Sequence, residues 1–225
     1  MDLIFSALEA GPQSLSELVA RTGIPKPTAH RLACALEAQR FLARDATGRF
    51  LLGSRIEELA THTGHDPLVT AALPILAKLR DACGQSAQIY RRHGTQRLCA
   101  ASVEPLSGLR DSVPAGTVLP MTAGSAAQVL IAWRSPEEII AACEGARFSP
   151  AELTRVRRRG WAHTAAEREP GLASISAPVF AQECEVVAAI GVSGPLDRIG
   201  RSVRAPLVAA VTQAASEVIE ALRAQ

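Results

Sequence analysis

Gly23 separates two short amphipathic helical stretches, and a basic hairpin follows them closely. That order constrains the N-terminal part of the chain more than any other feature. The first stretch opens on Ser14-x-x-Glu17, a capping box in which hydroxyl and carboxylate each accept a backbone N–H that the helix start leaves free. Leu15, Leu18 and Val19 follow on it. Gly23 ends it, since glycine takes the left-handed conformation after a helix at little cost. The second stretch, 26 to about 39, places Ala29, Leu32, Ala33 and Leu36 at i, i+3, i+4 and i+7, which predicts one buried stripe. Ahead of both, Leu3, Ile4, Ala7 and Leu8 share a helical face that Gly11-Pro12 terminates. Segments 41–44 and 49–52 read as strands, with 45–48 as the tight turn between them.

The face opposite the apolar stripe carries Lys26, Pro27, Thr28, His30 and Arg31 on the first turns of its helix. The chain as a whole has a net charge of only +2 over 225 residues, so a nucleic-acid partner has to be argued from local charge. From Arg21 to Arg49 there are six basic residues (Arg21, Lys26, Arg31, Arg40, Arg44, Arg49) against Glu37 and Asp45, or six minus two, +4. Helix, turn, helix and basic hairpin in this order predict a winged helix-turn-helix over 1–53, the N-terminal turns of the second helix entering the major groove. Arg31 can pair bidentately with a guanine, worth about 1–3 kcal/mol of discrimination. Thr28 and His30 are its companions at base edges. Lys26, Arg44 and Arg49 chiefly supply charge for phosphates, Thr47 lies at the wing tip, and Pro27 offers apolar contact alone. The plainer alternative is a solvated basic face, and Cys34, one turn after His30, reads as a packing residue.

Segment 54–65 suits a linker helix with Ile56, Leu59 and Ala60 inward and Gly64 closing it. Residues 66–225 then change to mixed helix and strand. A helix begins at Asp66-Pro67 and ends before Gly84. Strands are expected at 86–92, 97–103, 109–113, 161–164, 172–180 and 185–193, the last two as an antiparallel hairpin. Helices are expected at 124–133, 136–144, 150–159 and 202–224. Ser135-Pro136-x-Glu138 and Ser149-Pro150-x-Glu152 mark two of those starts with a capping box plus proline. Arg155, Arg157, Arg158 and Arg159 crowd a helix end, where cations complement the helix dipole. Tyr90 and Trp161 are scarce aromatics that read first as sheet packing.

With 48% apolar and 20% charged residues the chain is an ordinary globular one. The five cysteines are widely spaced, with no C-x-x-C and no histidine at zinc-ligand spacing, so reduced thiols, no metal and no cofactor are expected. No apolar run approaches the ~20 residues that span a bilayer. Glu9, Gly11 and Pro12 interrupt the early apolar stretch where a signal peptide would stand, which points to a cytoplasmic protein with no membrane partner. No nucleophile elbow, zinc-protease motif, Walker loop or dinucleotide turn occurs, and Cys184 has no marked base beside it, so an enzyme is not expected.

The stretch Leu15-Ser16-Glu17-Leu18 … Thr22-Gly23-Ile24-Pro25-Lys26-Pro27-Thr28-Ala29-His30-Arg31-Leu32 … Arg49-Phe50-Leu51-Leu52-Gly53 resembles the N-terminal domain of IclR-type bacterial regulators. Pro120-Met121-Thr122-Ala123, Glu167-x-Glu169-Pro170-Gly171, Ile175-Ser176-Ala177-Pro178-Val179 and 187–195 look like marker segments of that family's effector domain. The resemblance covers nearly all of the chain. It implies an α+β protein with a GAF-like antiparallel-sheet effector domain and a small-molecule pocket on one face. Carried over by position, Ser125 and Ala126 come from the loop, Ser174 from 172–180, and Gly191 and Ser193 from the last strand.

Departures from the family pattern bear on specificity. Pro27 stands where serine is usual, and Ser174 where many members have cysteine. Ala165 replaces an aspartate and Gly191 a serine of members that bind small acids, while Ala127-Gln128 replaces Gly-Lys. These losses predict a larger or more apolar ligand, or a weakly bound one. The first helix opens almost at Met1, which reads as a shortened or naturally short start.

The implied function is a ligand-responsive, homodimeric or tetrameric regulator on a pseudo-palindromic operator, controlling metabolic genes. The whole-chain pattern looks most like an actinobacterial branch associated with leucine and other amino-acid biosynthesis. The alternative is a constitutive DNA-binding regulator whose second domain serves only oligomerisation.

Overall fold

The computed structural model describes residues 2–8, 11–56, 58, 66–181 and 185–224. The chain divides into two compact units, Met1–Asp66 and Pro67–Gln225.

In the first unit α1 (Asp2–Leu8), α2 (Leu15–Thr22) and α3 (Lys26–Ala38) precede a hairpin of β1 (Leu42–Arg44) and β2 (Phe50–Leu52). Ser14 and Glu17 form the predicted capping box, and Gly23 closes α2 at φ 69°. The core is Ile4, Ala7, Leu8, Leu18, Ala33, Leu36, Leu42 and Phe50. Two predicted positions differ. Leu3 is 56% exposed, because the face that α1 buries is centred on Ile4 and Leu8. Leu32 is half-buried and lies at the edge of the stripe formed by Ala29, Ala33 and Leu36. Gln13 adds a bridge to the wing, exchanging N–H···O bonds of 2.9 and 2.7 Å with Phe50, so the hairpin is tied to the segment before α2. Of the expected linker helix 54–65, Ser54, Arg55, Ile56 and Glu58 are helical; Leu59, Ala60, Gly64 and the remainder lie outside the described residues.

The second unit is built on a six-stranded antiparallel sheet, order β5-β4-β3-β8-β7-β6. Its strands are β3 (Ser86–His93), β4 (Gln96–Val103), β5 (Val118–Pro120), β6 (Ala162–Ala165), β7 (Leu172–Phe180) and β8 (Val186–Pro195). Segment 109–113 is not a strand; the edge position is taken by β5, whose Val118–Pro120 pairs with Gln96–Leu98. Helices cover both faces, which explains why β7 and β8 are buried on both sides. On one face α4 (Pro67–Cys83) and the C-terminal helix Ala205–Arg223 pack on Ile89, Ile175, Val179 and Ile190. On the other, α5 (Ser125–Ala132), α6 (Pro136–Cys143) and α7 (Pro150–Arg159) cover Tyr90, Cys99 and Ala189. A short α8 (Leu196–Ile199) precedes the last helix, α9 (Ala205–Arg223).

By length and composition α9 is apolar enough to cross a membrane, with a mean hydropathy of 1.2 over its best window. Its polar residues are interspersed, so the sequence holds no near-continuous apolar run there. Val211, Ala214, Ala215 and Val218 are its buried residues, and they belong to the core of the sheet unit.

Both later capping boxes form, Ser135 with Glu138 and Ser149 with Glu152. Arg157, expected at a solvated helix end, instead donates to the carbonyls of Ala132 at 2.7 Å and Arg134 at 3.1 Å. It thereby caps the end of α5. Arg159 lies 3.9 Å over the Trp161 ring.

Candidate functional site

In the N-terminal unit the first turns of α3 present Lys26, Pro27, His30 and Arg31 to solvent, with Thr28 half-buried among them. Pro25 is the N-cap, so Pro27 is the second helical residue, and no side chain caps the start. Lys26 and Arg31 have no hydrogen-bond or ion-pair partner among the described residues. Such cations are available to an external anion. His30 Nε2 lies 3.6 Å from Cys34 Sγ, a contact along the helix that leaves the ring exposed.

The wing residues are engaged internally. Arg44 pairs with Glu37 at 3.0 Å and covers the Phe50 ring at 4.1 Å, so it supports the hairpin as well as carrying charge. Thr47 donates to Asp45 through both its backbone N–H and its hydroxyl, at 2.8 and 2.7 Å. Arg49 meets Glu17 at 3.3 Å, and Arg40 pairs with Glu58. The local excess of +4 is therefore partly neutralised by Glu17 and Glu58, which lie outside the 21–49 stretch. Of the six basic residues only Arg21, Lys26 and Arg31 have no ion pair among the described residues.

In the C-terminal unit all five carried-over positions, Ser125, Ala126, Ser174, Gly191 and Ser193, line one cleft between the sheet and the start of α5. The register explains this. Ser174 stands opposite Ser193, and Ser176 opposite Gly191, which in turn faces Gln88 of β3. Period-two alternation sends these residues to the α5 face while Ile175, Ile190 and Val192 pack on the other side. Ser125 Oγ is 2.8 Å from both Ser174 Oγ and Ser176 Oγ, and Ser174 Oγ is 3.0 Å from Thr164 Oγ1. The strand hydroxyls thus form a connected network with the first residue of α5.

Residues that the sequence does not single out make the cleft polar: Gln88, Arg97, Asp111, Arg168 and Ser176. Arg97 is 3% exposed. Its Nη1 donates to the Pro120 carbonyl, and its guanidinium lies 5.6 Å from the Tyr90 ring centroid. Burial lowers its pKa to about 10 and pushes the Tyr90 hydroxyl up. The Nε of Arg97 and the Nε2 of Gln88 are buried without a hydrogen-bond partner. Gln88 Oε1 accepts from Ser193. Arg168 pairs with Asp111, so of the two cations in the lining one remains unneutralised. Glu167 lies nearby, accepting from the Gly124 N–H at 3.0 Å and Gln128 Nε2 at 3.1 Å, and burial raises its pKa.

This lining holds more polar groups than the losses at Ala165 and Gly191 alone suggest. The space is about 30 Å³, and Ser176 and Gln88 bring polar groups opposite Gly191. A Cβ on Gly191 would come within 2.2 Å of the Ile175 carbonyl and 2.5 Å of Ser176 Oγ, so the Ser176 hydroxyl already fills that place. The sequence signal for Arg97 was its presence inside a predicted strand. A larger cavity of about 300 Å³ lies beside α6, but its Arg92 and Glu138 already pair with each other at 3.1 Å. It presents no orphaned buried donor among the described residues. Nor, among them, is any group of three His, Cys, Asp or Glu placed to hold a metal.

The family models for the IclR helix-turn-helix domain and for the bacterial transcriptional regulator IclR C-terminal region match residues 3–46 and 60–220. The chain is 28% identical over 195 residues to the HTH-type transcriptional regulator KipR of Bacillus subtilis, covering 80% of this chain and 78% of that one. It is 27% identical over 225 residues to the transcriptional repressor IclR of Escherichia coli, covering 92% and 82%. Its fold is that of a solved IclR homolog from Microbacterium hydrocarbonoxydans, complexed with 4-hydroxybenzoate, at a TM-score of 0.83 and 22% identity, covering 100% of this chain and 98% of that one. The chain, with its helix-turn-helix and its polar cleft under α5, belongs to the IclR family of transcriptional regulators.

Proposed function

We propose that this protein is a regulator of metabolic genes that binds DNA through α3 and the wing and responds to a small organic acid held in the serine- and guanidinium-lined cleft. The observation that carries the ligand class is the buried Arg97, with an unpartnered Nε beside the unpartnered Nε2 of Gln88. Buried donors without acceptors are costly, and a buried cation favours an anionic partner. A carboxylate supplies both the acceptors and the charge. The 4-hydroxybenzoate in the solved homolog is a relative's ligand of this class.

On the DNA side, Arg31 reads a base edge with Thr28 and His30 beside it, Pro27 contributes apolar contact, and Lys26, Arg44, Thr47 and Arg49 meet the backbone. One recognition helix with two cations that have no ion pair among the described residues makes too few contacts for specificity, so a homodimer or tetramer on a pseudo-palindromic operator follows. Domain limits of 1–53, 54–65 and 66–225 fit this division of labour. The protein acts without enzymatic chemistry and in the cytoplasm, where its operator is. Amino-acid biosynthesis, that of leucine in particular, is the target class that the sequence resemblance supports; footprinting upstream of neighbouring genes tests it.

The test of the effector is thermal unfolding and calorimetry with acetate, benzoate and 4-hydroxybenzoate, each against its uncharged amide. Binding to the native state alone raises the melting temperature. Stabilisation by acids only, lost in Arg97→Leu, is the expected result. Stabilisation by the amides alone would overturn it.

A further inference from the structure

The cleft has about 30 Å³ of space, room for a water and too little for an organic acid. A second small space of about 20 Å³ adjoins it, and both are lined by Asp111, Arg168, Ser174 and Ser193. The Asp111–Arg168 ion pair is therefore a wall common to the two.

Asp111 belongs to segment 104–117, which runs without helix or strand from the end of β4 to the start of β5. The segment has a pinned half and a free half. Val113 is buried, its carbonyl 3.5 Å from Cys99 Sγ, and Gly116 N–H donates to the Cys99 carbonyl at 2.8 Å. Leu106 and Leu109, by contrast, are 97% and 74% exposed. Between these halves Asp111, only 6% exposed, accepts a hydrogen bond from Arg168. Arg110 and Ser112 on either side both bond to Glu104, so they fold the segment on itself rather than onto the sheet. Arg168 also reaches Glu169 at 3.1 Å, outside the cleft.

A carboxylate on a guanidinium, at the edge of a cleft that has a second buried guanidinium, is what an organic acid would itself offer. We propose that Asp111 is an internal stand-in for the effector's carboxylate: it holds segment 104–117 closed on Arg168, and an incoming acid takes its place, releases the segment and joins the two spaces into one. This rests on the organic-acid reading above. It adds a competing residue and a moving element to it. Because the acid has to displace Asp111, the competent state is a minor one and the measured affinity is reduced by its population.

The experiment compares wild type, Asp111→Asn and Arg168→Gln by amide hydrogen exchange over 104–117 and by calorimetry with benzoate, benzamide serving as control. Without ligand, both variants are expected to exchange several-fold faster than wild type in that segment. Saturating benzoate accelerates the wild type to the same level and leaves Asp111→Asn unchanged. Asp111→Asn binds benzoate about tenfold more tightly, while Arg168→Gln loses binding. Weaker benzoate binding by Asp111→Asn, or tighter binding with unchanged exchange, overturns the proposal. If benzoate binds none of the three, the organic-acid reading falls by itself, and exchange decides the latch: acceleration in both variants retains it and its absence removes it.

Discussion

Glu17 and Arg49 meet at 3.3 Å, so the carboxylate that closes the capping box of α2 also holds the second strand side of the wing. Its bonds to the Ser14 backbone and hydroxyl and to Arg49 keep Glu17 below the usual carboxylate range. Glutamine serves equally in a capping box. Glu17→Gln is thus expected to keep the helix and free Arg49 for phosphate. Binding to a short random-sequence duplex should become steeper in salt by about one phosphate's worth, a slope change of ~0.9. The same change made in an Arg49→Gln background should have no effect on the slope, and anisotropy titrations at several salt concentrations measure both.

Arg31 and Arg44 should separate recognition from support. Arg31 is exposed on α3 without an ion pair among the described residues, so Arg31→Ala should relax preference at one base pair per half-site and cost about 1–3 kcal/mol on specific DNA. Arg44 packs on Phe50 and Glu37, so Arg44→Ala should lower the melting temperature, which Arg31→Ala should leave in place. Selection of bound sequences from a random pool, with calorimetric unfolding of both variants, distinguishes the two roles.

Gly191 is held by close approach. Restoring the serine usual in acid-binding relatives should destabilise this chain by about 1–3 kcal/mol, as overpacking does, because the new Cβ would meet the Ile175 carbonyl and Ser176 Oγ. Pairing Gly191→Ser with Ser176→Gly should recover part of the loss by removing one of the two collisions. Chemical denaturation of the two single variants and the double variant gives the coupling; strict additivity would show that Ser176 is not the obstacle.

Glu138 gives a pH dependence with a definite sign. Its bonds to Arg134 first, then to Arg92 and the Ser135 backbone, lower its pKa from the ordinary glutamate value of 4.5 to about 2. A depressed carboxylate stabilises the fold above its unfolded pKa and loses that contribution as pH falls through the folded one. The stability gap between wild type and Glu138→Gln should therefore be full above about 4.5 and close towards pH 2. Thermal unfolding across that interval checks it. The carboxylate is exposed, so the gap is small and should shrink further in high salt.

What the sequence shows and conceals follows from how far apart the interacting residues lie in the chain. The starts of α2, α6 and α7 are marked by a serine and a glutamate three residues apart, and all three form as expected. Strand β5 is three residues long and defined by its pairing with β4 about twenty residues earlier, so alternation within 109–113 points to the wrong place. The five cleft positions are legible because family motifs mark them. Arg97, Asp111 and Arg168 meet only through the fold, from β4, an irregular segment and the turn before β7. The polarity of the cleft is hidden for the same reason: losses at Ala165 and Gly191 are visible one position at a time, while Ser176 and Gln88 add polar groups from β7 and β3, the strands on either side of Gly191.

Every residue of α5, from Ser125 to Ala132, is buried. Its first residue bonds to the strand hydroxyls, and Arg157 caps its last carbonyl-bearing turn. A helix with no solvent face has few neutral substitutions open to it, since each change in volume is felt by the packing around it. Within a lineage of such sensors α5 is therefore the slow-changing part. New ligand preferences would be acquired at the facing strand positions and along 104–117, where single replacements alter the cleft without displacing the helix that floors it.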